Sequence, residues 1–283
     1  MKLVRYGARG KERPGMIDGE GRLRDLSKVV NDITAETLSP ALIARLRKLK
    51  PGSLKPVKGK PRLGPPVGGI RKFIAVGLNY ADHAKEAGAP IPREPILFTK
   101  AISCIAGPND NVMLPRGSRK TDWEVELGVV IGRTASYVSE AKALDYVAGY
   151  CVSNDVSERE YQIERGSQWD KGKGCDTFGP LGPWLVTRDE VPDPQNLRLW
   201  LDVNGQRQQN STTGQMIFGV AKLVSYISEF ITLWPGDVIV TGTPSGVGMG
   251  LKPTPRYLVA GDVIRLGIEG LGEQQQKVVA AKR

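Results

Sequence analysis

The sequence predicts a β-dominated α+β fold, and three observations carry that reading. Thirty-four glycines and 20 prolines cut the 283 residues into many short apolar runs, the length of strands between turns. Long helical patterns are few, and Ile217 to Leu233 is the longest. Pro235-Gly236-Asp237-Val238-Ile239-Val240 and Ala260-Gly261-Asp262-Val263-Ile264-Arg265 share a turn-then-strand grammar. That echo occurs once, so it does not mark a repeat fold. The chain divides into a small N-terminal α/β domain with a linker, residues 1–69, and a large domain, residues 70–283.

Residues 2–7 and about 14–26 read as short strands, with Asp18-Gly19-Glu20-Gly21 as a hairpin signal. Ser39-Pro40 can open a helix that runs to Leu49, with serine as cap and proline in the first turn. Pro51 to Gly69 is rich in Pro, Gly and Lys and reads as a linker wrapped on the surface. Lys72-Phe73-Ile74-Ala75-Val76-Gly77 then opens the large domain as a strand.

The net charge of +10 is unevenly placed. Residues 1–72 carry 18 Lys and Arg against 6 Asp and Glu, while the remainder carries 22 against 24. A basic N-terminal segment raises nucleic-acid binding. Tyr6 is its one aromatic and its charges are dispersed, so no stacking platform forms and no nucleic-acid partner is expected. A basic face that draws in an anionic substrate fits better. No apolar run approaches a membrane span, and the first residues lack a signal-peptide core. Cys104, Cys151 and Cys175 have no metal-type spacing and read as reduced thiols of a cytoplasmic protein.

His83 is the only histidine. Glu86 follows at helical spacing, where a carboxylate can hold the imidazole in one tautomer and make it a general base. The alternative is a surface or capping histidine with a chance neighbour. Asp122 to Gly132 reads as a strand whose alternation puts Glu124 and Glu126 on one face and Trp123, Val125, Leu127, Val129 and Ile131 on the other. Two buried carboxylates side by side need a cation; a solvated edge strand would not. A second strand, Ala148 to Asn154, ends in Asp155 ahead of a polar helix, Ser157–Gln162. Three oxygen ligands without His or Cys suit a hard cation, Mg²⁺ first, with Mn²⁺ or Ca²⁺ behind.

Asn79-Tyr80-x-x-His83-x-x-Glu86, Glu124-x-Glu126, Asn154-Asp155-x-x-x-Arg159, Lys171-Gly172-Lys173 and Thr241-Gly242-Thr243-Pro244-x-Gly246-Val247-Gly248 follow one another in this order. Together they resemble the fumarylacetoacetate hydrolase family, from about Arg71 to the C-terminus. The resemblance implies the family's mixed β-roll and a homodimer. It implies Mg²⁺ on Glu124, Glu126 and Asp155, a water-activating His83–Glu86 dyad on a mobile lid, and Lys173 beside the substrate. The spacing to Phe178-Gly179-Pro180 selects Lys173 over Lys171. The Thr241–Gly248 loop reads either as an ordinary glycine-rich turn or, with the resemblance, as a carboxylate grip through Thr243 and nearby amides. Arg159 and Gln162 become candidates for substrate polar groups, or else form a solvated helix face. Lys100 and Ser103 match a family stretch near the site.

These parts imply a small anionic 2-oxo acid as substrate. In a 2,4-dioxo acid, water activated by His83 attacks C4, and cleavage of C3–C4 leaves the enolate of pyruvate, whose charge a cation and Lys173 would stabilise. The whole-chain pattern resembles a subgroup of 2,4-didehydro-3-deoxy-L-fuconate or rhamnonate hydrolases, chains often labelled ureidoglycolate lyase. Ureidoglycolate cleavage, oxaloacetate decarboxylation and dienoate isomerisation are the alternatives within the family. A non-catalytic binding module is the alternative outside it, but a binder has no need of a base. Residues 79–95 offer little apolar anchorage and are flanked by Gly77 and Gly88, so His83 is expected to stand away from the acids when no ligand is bound.

Overall fold

In the computed structural model, which describes residues 1–281, the expected β-dominated α+β architecture is present. A ten-stranded mixed sheet forms the body. Its middle strands are Gly179–Thr187, Val147–Asn154, Val125–Ile131, Val238–Val240 and Phe73–Gly77. A five-stranded sheet, which includes Arg198–Val203 and Val263–Ile268, shares one core with it. Trp123, Val125, Leu127, Val129 and Ile131 all enter that core, against Leu199, Leu201 and Leu266 of the smaller sheet and Leu223 and Ile227 of the helix Val220–Phe230. The face expected from alternation is thus the apolar face observed. Among the described residues no helix is long and apolar enough to cross a membrane.

Residues 1–69 are built onto the same sheet. Lys2–Tyr6 pairs antiparallel with Gly179–Thr187, and Arg13–Ile17 and Leu23–Asp25 continue outward. Leu3, Met16, Leu26, Leu38 and Leu46 share a second core with Val130, Cys151 and Val240 on the opposite face of the sheet. The helix Pro40–Arg47 begins where the sequence places it: the Ser39 hydroxyl accepts from Leu42 N at 3.4 Å, and proline occupies the first turn. The Pro- and Gly-rich stretch is pinned to the strands beside it. Gly7 N donates to Arg62 O and Gly64 N to Arg5 O, both at 2.8 Å. The polar helix expected from Ser157 is different. Ser157–Glu158 pairs with Thr121–Asp122 as a two-stranded ribbon, and helical geometry appears only at Glu160–Glu164, as a π-helical turn. Ladder bonds to Thr121 and Asp122 capture residues whose local pattern read as helix.

The central strands approach closely. A Cβ built on Gly149 would meet Val186 O at 2.1 Å, at the irregular register between Val147–Asn154 and Gly179–Thr187. Gly149→Ala is therefore expected to cost about 1–3 kcal/mol, the usual range for overpacking. Urea denaturation checks this, and an unchanged midpoint would contradict the close approach.

Candidate active site

Four neighbouring strands converge on one place. The carboxyl ends of Val147–Asn154, Val238–Val240 and Phe73–Gly77 meet the amino end of the antiparallel Val125–Ile131. The strand ends deliver, in turn, Asp155, the Thr241–Gly248 loop, the His83 helix and the glutamate pair. Asp155 N donates to Glu124 O at 2.9 Å, so the ladder itself sets the two acids side by side. Glu124, Glu126 and Asp155 are buried, and one carboxylate oxygen from each lies within 4.8 Å of the others.

Burial of three acids at this spacing requires opposing charge, and the chain supplies much of it. Lys173 Nζ donates to Glu124 Oε2 at 2.5 Å and to Asp155 Oδ2 at 2.9 Å. Arg159 Nη2 lies 2.7 Å from Glu124 Oε1 as an ion pair, off the direction of a hydrogen bond. Lys100 pairs with Asp155. Burial alone would raise the Glu124 carboxyl, but Lys173 and Arg159 outweigh it and pull the pKa down to about 2. Burial would likewise lower the Lys173 ammonium, and Asp155 and Glu124 instead raise it. Glu126 differs. Gly242 N donates to its Oε2 at 2.8 Å, and among the described residues no cationic side chain pairs with it. Burial first, then Asp155 and Glu124, push its pKa well above the carboxylate range.

An all-oxygen donor set, buried and short of positive charge at Glu126, fits a hard divalent cation held by Glu124, Glu126 and Asp155.

His83 is buried and lines a cavity of about 180 Å³ together with Glu124, Glu126, Arg159, Gln162, Lys173 and Thr243. Its Nδ1 stands 3.1 Å from Glu86 Oε2. An ionised carboxylate only accepts, so Nδ1 donates and Nε2 is left as the basic nitrogen. Ala81–Glu86 is formed and seated, and its anchors are polar rather than apolar. Glu86 Oε1 accepts from Gly246 N at 2.8 Å, and Asp82 Oδ2 accepts from Ser211 Oγ at 3.1 Å and Ser245 Oγ at 3.3 Å. Asn79 adds bonds to Phe218 O and Thr241 O.

The other candidates separate by what their polar atoms already do. Lys171 is exposed and turns to Arg165 O, whereas Lys173 reaches the acids. Lys100 is 2% exposed and spends its ammonium on Asp155, Lys173 O and Val156 O. It therefore braces the cluster and does not line the cavity. The Thr243 hydroxyl donates to Val125 O at 2.9 Å and accepts from Gln209 Nε2 at 2.8 Å, so its proton is committed within the protein. Gln162 Oε1 accepts from Arg159 Nη1 at 3.0 Å. Sequence reasoning missed Asp122 as a site residue. It is fully buried and accepts from Arg159 Nε at 2.9 Å, Gly248 N at 2.6 Å and Met249 N at 3.0 Å. It ties the arginine to the glycine loop. Its place two residues before Glu124 was visible, but its partners lie 37 to 127 residues away.

The sequence matches the family model described as "Fumarylacetoacetate (FAA) hydrolase C-terminal" over residues 72–279. A provisionally named hydrolase of Burkholderia multivorans is 64% identical over 282 residues, covering 100% of both chains. Among solved structures, 2-hydroxyhepta-2,4-diene-1,7-dioate isomerase from Mycobacterium marinum is 33% identical, with a TM-score of 0.76 and 100% of both chains covered. Maleylpyruvate hydrolase from Sphingobium sp. SYK-6, solved with manganese(II) and pyruvate, is 29% identical, with a TM-score of 0.83 and 100% of both chains covered.

Glu126→Ala is expected to abolish thermal stabilisation by Mg²⁺ or Mn²⁺, measured by differential scanning calorimetry with and without ion. An undiminished shift would place the ion elsewhere. Asp82→Ala removes two side-chain hydrogen bonds and is expected to speed amide exchange over residues 81–89 about tenfold. Exchange at the wild-type rate would show that Asp82 does not anchor the helix.

Proposed function

The chain belongs to the fumarylacetoacetate hydrolase family, and from that premise we propose that it is an Mg²⁺-dependent hydrolase that cleaves the C3–C4 bond of a 2,4-dioxo acid. The observation that carries this reading is the intact His83–Glu86 pair, whose imidazole lines the same cavity as Glu124 and Glu126, two of the three clustered carboxylates. Structural relatives include a maleylpyruvate hydrolase and a 2-hydroxyhepta-2,4-diene-1,7-dioate isomerase. A divalent cation would supply Lewis-acid polarisation of the substrate's oxygens and favour a carboxylate ligand. The rest falls to the chain's own groups. His83 Nε2 takes a proton from water, which adds to the C4 carbonyl. Glu86 holds the ring and stabilises the imidazolium. As C3–C4 breaks, its electron pair passes to the C2–C3 unit as an enolate, with the Lys173 ammonium beside the cluster to offset the charge. The imidazolium returns its proton to C3 to give pyruvate, and C4 leaves with the group beyond it as a carboxylic acid. The seated helix excludes bulk water from this exchange.

The sequence resemblance implies a sugar-derived 2,4-didehydro-3-deoxy acid as substrate; the proposal takes from sequence a homodimer and a cytoplasmic setting. The free state of Cys104, Cys151 and Cys175 accords with the last. Isomerisation of a dienoate is the second reading, favoured by the likeness to the isomerase structure. It moves protons without consuming water.

His83→Ala is expected to lower kcat by about two to four orders of magnitude while KM changes little, because a general base acts on the chemical step. Pyruvate release from acylpyruvates with Mg²⁺ measures it. Full activity in the variant would rule out the base.

A further inference from the structure

Hydrolysis of a 2,4-dioxo acid, on which this inference rests, specifies the end of the ligand that meets the carboxylates and leaves the group beyond C4 undefined. The cavity wall defines it. Of the residues lining the cavity, the fixed cations are Arg159 and Lys173, and both are paired with acids: Arg159 with Asp122 and Glu124, Lys173 with Glu124 and Asp155. The Thr243 proton and Gln162 Oε1 are engaged within the protein. His83, Glu124 and Glu126 face the reacting end, and the rest of the lining is apolar, with Leu78, Ala87, Ala89, Phe98, Ile163 and Trp169 among it.

This wall is built rather than incidental. The Trp169 ring lies directly on Gly77, where a Cβ would stand 2.4 Å from Cζ3. Phe98 meets Trp169 edge-on, with centroids 5.3 Å apart and planes at 65°. Leu78 holds a left-handed backbone, φ 49°, that branched L-residues rarely take. The Trp169 carbonyl accepts from Lys173 N at 3.0 Å, so one short turn, Asp170–Lys173, links the apolar wall to the lysine of the acidic cluster.

We propose that Trp169, backed by Phe98 and Gly77, is a specificity-determining residue, and that the group beyond C4 is apolar. A polyhydroxylated chain would bury more hydroxyls against Leu78, Ala89 and Phe98 than the Gln162 amide and the Trp169 indole N–H can partner, and a second carboxylate would meet cations already paired with acids. Each loss is larger than any gain from contact area. This inference sets aside the sugar-derived acid that the sequence resemblance implies.

Steady-state kinetics with Mg²⁺ on three probes tests it: benzoylpyruvate, fumarylpyruvate and a 2,4-didehydro-3-deoxy sugar acid. The expected kcat/KM for benzoylpyruvate exceeds each of the others by at least about tenfold. Trp169→Ala is expected to raise KM for benzoylpyruvate about tenfold with little change in kcat, and Trp169→Phe to restore most of it. Equal or faster cleavage of either polar probe by the wild type would overturn the inference and leave the hydrolase reading standing. So would a Trp169→Ala loss confined to kcat. Cleavage of none of the three would overturn the hydrolase reading and the inference with it.

Discussion

The confinement of Glu124, Glu126 and Asp155 to one buried spot is the constraint on which the rest of the site depends. Like charges within 4.8 Å in a low-dielectric interior cannot all stay ionised unless cations are brought to them. Lys100, Arg159 and Lys173 are brought from three different segments. Two of them are in turn positioned by groups outside the cluster: Arg159 by Asp122, and Lys100 by the Lys173 carbonyl together with Val156 O. Even so Glu126 keeps a raised pKa. The cluster is a frame in which one more positive charge, an ion or a proton at Glu126, is favourable.

Much of this frame was legible because strand alternation is a strict rule. Glu124 and Glu126 had to share a face once Trp123, Val125 and Leu127 were placed in the core, and the structure puts those three in one hydrophobic cluster. Asp155 was legible as the end of an apolar run. The histidine was legible by being alone. What could not be read is what crosses the chain. Asp122 joins Arg159 to the Gly248–Met249 backbone. Lys100 braces Asp155 from 55 residues away. Neither bond leaves a local pattern. The short ribbon at Ser157–Glu158 was misread for the same reason, because its partner strand, Thr121–Asp122, lies far back in the sequence.

The His83 helix is docked by polar contacts rather than by large apolar residues: Asp82 and Glu86 accept from hydroxyl and amide donors on Ser211, Ser245 and Gly246. Polar anchorage of this sort is weaker per contact than a buried core and is replaceable by water. The same helix carries His83 and, through Ala87 and Ala89 just beyond it, helps wall the apolar half of the cavity's lining.

The claim that the three carboxylates form a single cation site is tested most directly by anomalous diffraction from crystals grown with Mn²⁺. The account predicts one strong anomalous peak bonded to a carboxylate oxygen of each of Glu124, Glu126 and Asp155. A cluster without a peak at saturating Mn²⁺, with Glu124 and Asp155 still paired to Lys100, Arg159 and Lys173 and Glu126 still held by Gly242 N, would contradict it.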